Sequence, residues 1–432
     1  MMIKRFQLGL IHIAVAMTLV PINSTLNRVM IKELDFSATL VAALASLPYL
    51  FSPLQVWIGG YADRHPLFGR RRTPYIFLGL LLCVAGVIFS PHVAFLMVAG
   101  RLTDILAGLL AFGAWGMGFN LASVSYFSLA SELSGEKGRG KTVAVMFFMM
   151  IVGIILTSIT LSRLVEPYSP EVLQRAFSLI GALALALGLL GLVGLEKRIA
   201  EASSGAENYT LRQMAEALLV NPQVKTFFWY LFLLLIALLG QDVLLEPFAA
   251  QAFNLPVAAT TRITSIWGVC VLVTLVIAGT LEGRLPKRTL AQAGNYGALA
   301  GFVLITASGL IPNLPVFYAG VVLLGLGTGL STVANLSLML DMTTAQSIGL
   351  YIGVWGMANA FSRLAGGLLG GAVRDLATHL LGNFVHGYVV VFVLEVLLLL
   401  VAILLFLRID LTAFQRRAEE LSVLERVAIN TN

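Results

Sequence analysis

The sequence predicts an all-α integral membrane protein of twelve transmembrane helices in two six-helix, parallel-repeat bundles. Three observations carry this. First, 58% of the 432 residues are hydrophobic and 12% charged, against about 25% charged in soluble globular domains. Second, apolar runs of roughly 20 residues recur along the chain, each long enough as a helix to cross a hydrocarbon core about 30 Å thick. A helix also satisfies its own N–H and C=O groups, as a lone strand in lipid does not. Third, the two halves repeat each other, as set out below.

The spans fall near 6–30, 38–60, 74–97, 102–130, 142–164, 175–195, 224–249, 258–281, 290–311, 315–340, 347–372 and 385–407. The first follows Lys4 and Arg5 as a signal peptide would. It is too long for an h-region and lacks a small-residue cleavage site, so it reads as a retained anchor. The second runs into a charged island, GGYADRHPLFGRRRTP (59–74). A short connection around Pro91 to Arg101 parts the third and fourth, and KGRGK (137–141) precedes the fifth. The sixth gives way to a central segment, 196–222, with a flexible SSG (203–205) and a short surface helix framed by Thr210, Gln213 and Asn221-Pro222. This sets the organisation: bundle 1–195, cytoplasmic central loop 196–222, bundle 223–408 and tail 409–432. In the tail, Leu411, Phe414, Ala418, Leu421 and Leu424 share a helical face beside Arg416 and Arg417, suited to the inner membrane surface; a solvated tail is the alternative.

With the N-terminus inside, the tails and even-numbered loops hold 20 of the 28 Lys and Arg residues. Basic residues in short loops stay cytoplasmic, so both termini are expected there. The net charge of +6 is this bias and implies no nucleic-acid partner. Cys83 and Cys270 lie singly in apolar spans, which suggests neither a disulfide nor a metal site.

Sliding the chain by 219 residues lays Leu34-Asp35-Phe36-Ser37 over Phe253-Asn254-Leu255-Pro256, Gly60 over Gly279 and Asp63 over Glu282, with Lys287 and Arg288 answering Arg70, Arg71 and Arg72. Sliding by 209 lays 116–133 over 325–342, so Glu132 meets Asp341. Six plus six helices with a charged loop between the second and third of each half is the layout of the major facilitator superfamily. Gly60, Asp63, Arg64, Gly69 and Arg70 to Arg72 resemble its cytoplasmic signature, in which a carboxylate and arginines brace helix ends in one gating state. Asp63 is placed to meet the positive N-terminal end of a neighbouring helix, and the arginines to fork onto carboxylates such as Glu132. Fixing topology alone is the plainer role for such a loop. Arg363, in the eleventh span, needs a buried partner, for which Asp341 is expected.

The chain departs from that signature by three extra residues between Arg64 and Gly69. RHPLFGRRRTPYIFLG, LNRVMIKEL (26–34), LSLMLDMT (336–343), GLYIGVWGMANAFSRLAGGLLGGAVRD (349–375) and FVLEVLLLLVAILLFLRID (392–410) resemble the PucC family, the (bacterio)chlorophyll-delivery branch of the superfamily. The resemblance implies a factor in the inner, intracytoplasmic or thylakoid membrane of a phototrophic bacterium. It would assemble light-harvesting or photosystem complexes by binding chlorophyll or bacteriochlorophyll and handing it to an apoprotein.

A chlorin magnesium takes one axial ligand, from imidazole, amide, carboxylate or carbonyl. The spans offer His12 and Asn23, three turns apart on one face; Gln241, Asp242 and Glu246 in the seventh; Asn120 and Asn335 in the fourth and tenth; and Glu395 in the twelfth. Each has a plainer reading. His12 can be an interfacial hydrogen-bonding residue, and Asn23 and Asn335 interhelical partners. Asp242 and Glu246, one turn apart, can couple protons, bind ligand or simply emerge into water. The glycines of GGLLGG (366–371), and Gly113, Gly116 and Gly118, allow close backbone packing, or a face for a partner helix or flat ring. No catalytic or nucleotide motif is present, so an enzyme is not expected. A proton-coupled transporter of a small solute is the alternative function.

Overall fold

In the computed structural model, residues 2–196, 222–281, 284–341 and 348–409 are described. They are overwhelmingly helical, and ten helices are long and apolar enough to cross a membrane. In the first half these are α1 (Met2–Lys32), α5 (Thr73–Met97), α6 (Leu102–Gly135), α7 (Gly138–Leu164) and α8 (Pro170–Leu192). Short helices α2 (Ala38–Ala45), α3 (Leu47–Leu50) and α4 (Leu54–Arg64) lie between α1 and α5. The second half has α9 (Pro222–Gly240), α10 (Leu245–Phe253), α11 (Val257–Leu281), α12 (Lys287–Leu310), α13 (Leu314–Asp341), α14 (Ile348–Leu381) and α15 (Phe384–Leu407). The sixth of the ten, Lys225–Val243, runs from α9 into a single 3-10 turn at Gln241–Val243.

The expected span 38–60 is three helices instead of one. Pro48 and Pro53 supply no amide to the helical ladder and crowd the preceding turn, so the rod breaks at each. Pro21 acts more gently, opening a π-helical turn over Pro21–Leu26. That turn takes Asn23 and Asn27 out of straight α-helical register with His12. Gly135, at φ 63° and ψ 172°, separates α6 from α7 in backbone geometry that excludes a side chain. The lengthened stretch after Arg64 ends in a tight turn, with Leu67 and Arg70 exchanging 3.0 Å backbone bonds across Phe68 (φ 54°) and Gly69 (φ 70°). Such values at both central positions mark a type I′ turn.

Several local features occur in both halves. Asp35 and Asn254, aligned by the 219-residue slide, are both left-handed, at φ 55° and 54°. Gly79 on α5 crosses Gly118 and Ala122 on α6, as Gly294 on α12 crosses Gly327 and Ser331 on α13. Gly86 meets Ala111 and Trp115 as Gly301 meets Gly320 and Leu324. A Cβ on Gly327 would stand 2.3 Å from the Ala298 nitrogen and 2.7 Å from the Gly294 oxygen. Gly327→Ala is therefore expected to force α12 and α13 apart, at a cost of at least about 2 kcal/mol. A lowered midpoint in thermal unfolding of the purified protein would show it; an unchanged midpoint would refute it. The glycines of the eleventh expected span also pack: Gly366 lies against Gly240, and Gly371 against Ala38 and Thr39.

Candidate functional site

Among the described residues, two carboxylates from distant parts of the chain hold the arginine loop. Arg72, almost fully buried, directs Nε and Nη2 to Glu132 Oε1 at 3.0 Å. Glu196, just after α8, accepts the backbone N–H groups of Arg71 (2.8 Å), Arg72 (3.1 Å) and Thr73 (2.7 Å). These are amides left over at the N-terminus of α5, so Glu196 caps that helix and meets its positive dipole end. Asp63 was expected in such a role; its side chain lies outside the described residues, as do Glu282 and the side chain of Asp341. Arg64 Nε turns back to Gly60 O at 3.0 Å. Nearby, Trp57, Tyr61 and His65 stack along α4, with Trp57 65% exposed.

Arg363 pairs with Asp242; the side chain of Asp341, the expected partner, lies outside the described residues. Asp242 sits in the 3-10 turn that ends α9, which swings its carboxylate toward α14. Gln241 donates to Asp242 Oδ1 at 3.1 Å, and Tyr49 from the first half lies 5.6 Å under the Arg363 guanidinium.

Around this pair the halves are joined by polar side chains. Ser24 Oγ, on the π turn, donates to Glu246 Oε1 at 2.5 Å, and Thr264 Oγ1 donates to the same oxygen at 2.6 Å. Thr25 and Thr261 share a 2.9 Å bond; Ser158 contacts the Thr261 carbonyl at 2.6 Å and Ser265 Oγ at 2.7 Å. Farther out, Arg28 is buried between Glu33 and the Leu255 carbonyl, and Arg262 pairs with Glu166 at 3.2 Å. Asp375 accepts Ala38 N (3.0 Å), Thr39 N (2.8 Å) and Thr39 Oγ1 (2.6 Å), capping α2 from across the interface. Burial works against the charge on Asp375, but the bonds from Thr39, Arg374 and Ala38 outweigh it and hold its carboxyl below the usual range. Among the described residues, the bonds between the halves thus run from the middle of the bundle to the end remote from the arginine loop.

The other expected ligand positions divide in two. Asn120 is spent on Pro48 O, Gly116 O and Gln55, and Asn335 on Tyr230 and Ser331. In contrast, His12 Nδ1, Asn23 Oδ1, Gln241 Oε1, Glu246 Oε2 and Glu395 Oε2 are buried with no hydrogen-bond partner. His12 lies among Tyr126, Phe127 and Phe147, with ring centroids 5.2–5.4 Å away. Among the described residues no group of three or more His, Cys, Asp or Glu could hold a metal ion, and Cys83 and Cys270 are free thiols.

Residues 25–414 match the family described as PUCC protein. The chain belongs to this PucC family. It is 33% identical to Protein PucC of Rhodobacter capsulatus, covering 93% of this chain and 90% of that one. Protein PucC of Rhodovulum sulfidophilum is 29% identical over 86% of this chain and 85% of its own. A protein of Rhodobacter capsulatus named bacteriochlorophyll synthase 44.5 kDa chain is 27% identical, covering 86% and 87%. In fold, this PucC-family chain is similar to the nucleoside transporter NupG, with TM-score 0.73, 14% identity and coverage of 94% and 98%. A POT family transporter gives TM-score 0.71 at 12% identity, covering 94% and 96%. The PucC-family chain is thus an integral, multi-pass membrane protein with a transporter-like fold of the major facilitator type.

Glu196, Ser24, Thr264, Thr39 and Asp375 were not singled out from the sequence. Their partners stand 18 to 337 positions away, which no local pattern encodes. The one available signal is Pro21, because a proline inside a membrane span predicts a local irregularity of the kind that exposes Ser24 to Glu246.

Proposed function

We propose that this chain is a membrane factor for assembling light-harvesting or photosystem complexes, which binds a chlorophyll-type pigment and passes it to an apoprotein. Its membership of the PucC family over residues 25–414 carries the reading, and the relative named for bacteriochlorophyll synthase supports the choice of pigment. The pigment is cargo and the chain performs no catalysis. The five buried donor atoms without partners fit a chlorin in kind, since each is a nitrogen or oxygen able to reach a magnesium. The aromatic surround of His12 suits a flat macrocycle, although rings 5.2–5.4 Å away must shift to admit one. In this reading the two halves are parallel six-helix repeats, twelve spans in all, with both termini and the arginine loop in the cytoplasm of a phototrophic bacterium.

Deleting the gene in its host is expected to lower one assembled pigment–protein complex without stopping pigment synthesis, and the gently purified protein is expected to carry chlorophyll absorption. His12→Ala, Asn23→Ala and Glu246→Ala should each retain less pigment than substitutions in the outer loops. Normal levels of every complex in the deletion strain, with a colourless purified protein, would refute the reading. The alternative, a proton-coupled carrier of a small solute, draws support from Glu246, a carboxylate buried between the halves with no ion-pair partner among the described residues. Solute uptake driven by a pH gradient in pigment-free vesicles would establish it instead.

A further inference from the structure

We propose that Glu246 is a proton-binding site whose occupancy decides whether the two halves are joined or parted at the end remote from the arginine loop. The inference does not depend on what the protein carries. Glu246 is 4% exposed, and both hydrogen bonds it receives, from Ser24 of the first half and Thr264 of the second, converge on Oε1. Oε2 is buried and bare.

The charged groups on the elements packed against α10 are otherwise engaged or distant in role. Arg28, on α1, acts on Glu246 through space but is paired with Glu33 and the Leu255 carbonyl, while Lys32 sits at the end of that helix. Arg262 of α11 is paired with Glu166 at the surface. Asp242 of the 3-10 turn is paired with Arg363. On α15, His386 is exposed, Tyr388 lies against the Arg374 guanidinium, and Glu395 is buried with its own Oε2 unpartnered. None of these forms an ion pair with Glu246 among the described residues.

An ionised carboxylate with no ion-pair partner is costly in such a place, and the cost can be removed in two ways. A proton from bulk water can bind the free oxygen, which keeps the carboxyl neutral and the Ser24–Glu246–Thr264 bridge closed. Alternatively the halves can part there and admit water to the charge. The two outcomes are alternatives, so proton release and parting are one event. The hydroxyls of Thr25, Thr261, Ser158 and Ser265 continue the seam and have no charge of their own. They can exchange their mutual bonds for water at little net cost.

The test uses the full chain in lipid nanodiscs, with spin labels at Arg101→Cys and Pro312→Cys in a Cys83→Ala, Cys270→Ala background. Raising the pH from mildly acidic to mildly alkaline is expected to convert a short inter-label distance into a longer one. Glu246→Gln, neutral at every pH and the same shape, is expected to keep the short distance throughout. Thr264→Val should fold whether or not Glu246→Gln does. It removes one donor to the charged form and should move the midpoint up by about one pH unit. Three results would overturn the proposal: a pH-independent distance in the parent, a parental pH response in Glu246→Gln, or closure driven by sodium at fixed pH. Absence of pigment from the sample would count against the proposed function and leave this expectation standing.

Discussion

Replacing Glu196 by Ala is expected to destabilise the first half of the protein by about 3 kcal/mol, more than any other single carboxylate on the arginine-loop side. One net hydrogen bond to a charged group is worth about 1.5–3 kcal/mol, and Glu196 accepts three backbone amides at 2.7–3.1 Å. These contributions overlap, because the same carboxylate also answers the dipole of α5. Without it the amides of Arg71, Arg72 and Thr73 lose their acceptor in a place where Glu196 itself is only 6% exposed. Arg72 would still hold the loop through Glu132. Glu196→Gln, which keeps an acceptor and loses the charge, should fall between Ala and the parent. Thermal unfolding of the purified variants measures both, and a Glu196→Ala protein that melts with the parent would show that the loop does not depend on this cap.

Asp375→Ala is expected to have the largest effect at the opposite end. Its carboxylate is the acceptor for the first two amides of α2 and for the Thr39 hydroxyl, across the interface between the halves. Asp375 keeps 24% of its side chain exposed, so the loss is set at about 2 kcal/mol, or ~30-fold in the ratio of joined to parted halves. The pH dependence has a definite sign. The folded structure holds this carboxyl below its ordinary value. Its contribution is therefore complete above about pH 3.9, the unfolded value, and fades as the pH falls through the lower folded one. Across neutral and mildly acidic pH the Asp375 clamp should not respond, which separates it from the Glu246 bridge. Spin-label distances at the outer loops would report both, and an Asp375→Ala protein with parental distances would refute the clamp.

The helical membrane class and most of the spans were legible because each follows from local composition. A run of apolar residues in lipid has few options. The break at 38–60 was legible in principle, since Pro48 and Pro53 stand in the sequence, but apolar composition outweighed them in the span assignment. The pairing of Arg363 with Asp242 was hidden for a different reason. Asp341 and Asp242 are equally plausible by type, and only the 3-10 turn at Gln241–Val243 brings the second within reach of α14.

By itself, then, the sequence determined that the chain spans a membrane many times and that Arg64, Arg70, Arg71 and Arg72 share one loop. It also determined the PucC resemblance, because long shared strings need no geometry to be recognised. The tertiary structure decided which carboxylate meets which cation and which buried polar atoms are left over. Asn120 and Asn335 proved to be spent on neighbours, while Glu246 bridges the halves with one oxygen bare. The reason is physical. Crossing a bilayer is a property of each segment and its solvent, whereas hydrogen-bond satisfaction is a property of pairs, and here the pairs join residues more than two hundred positions apart.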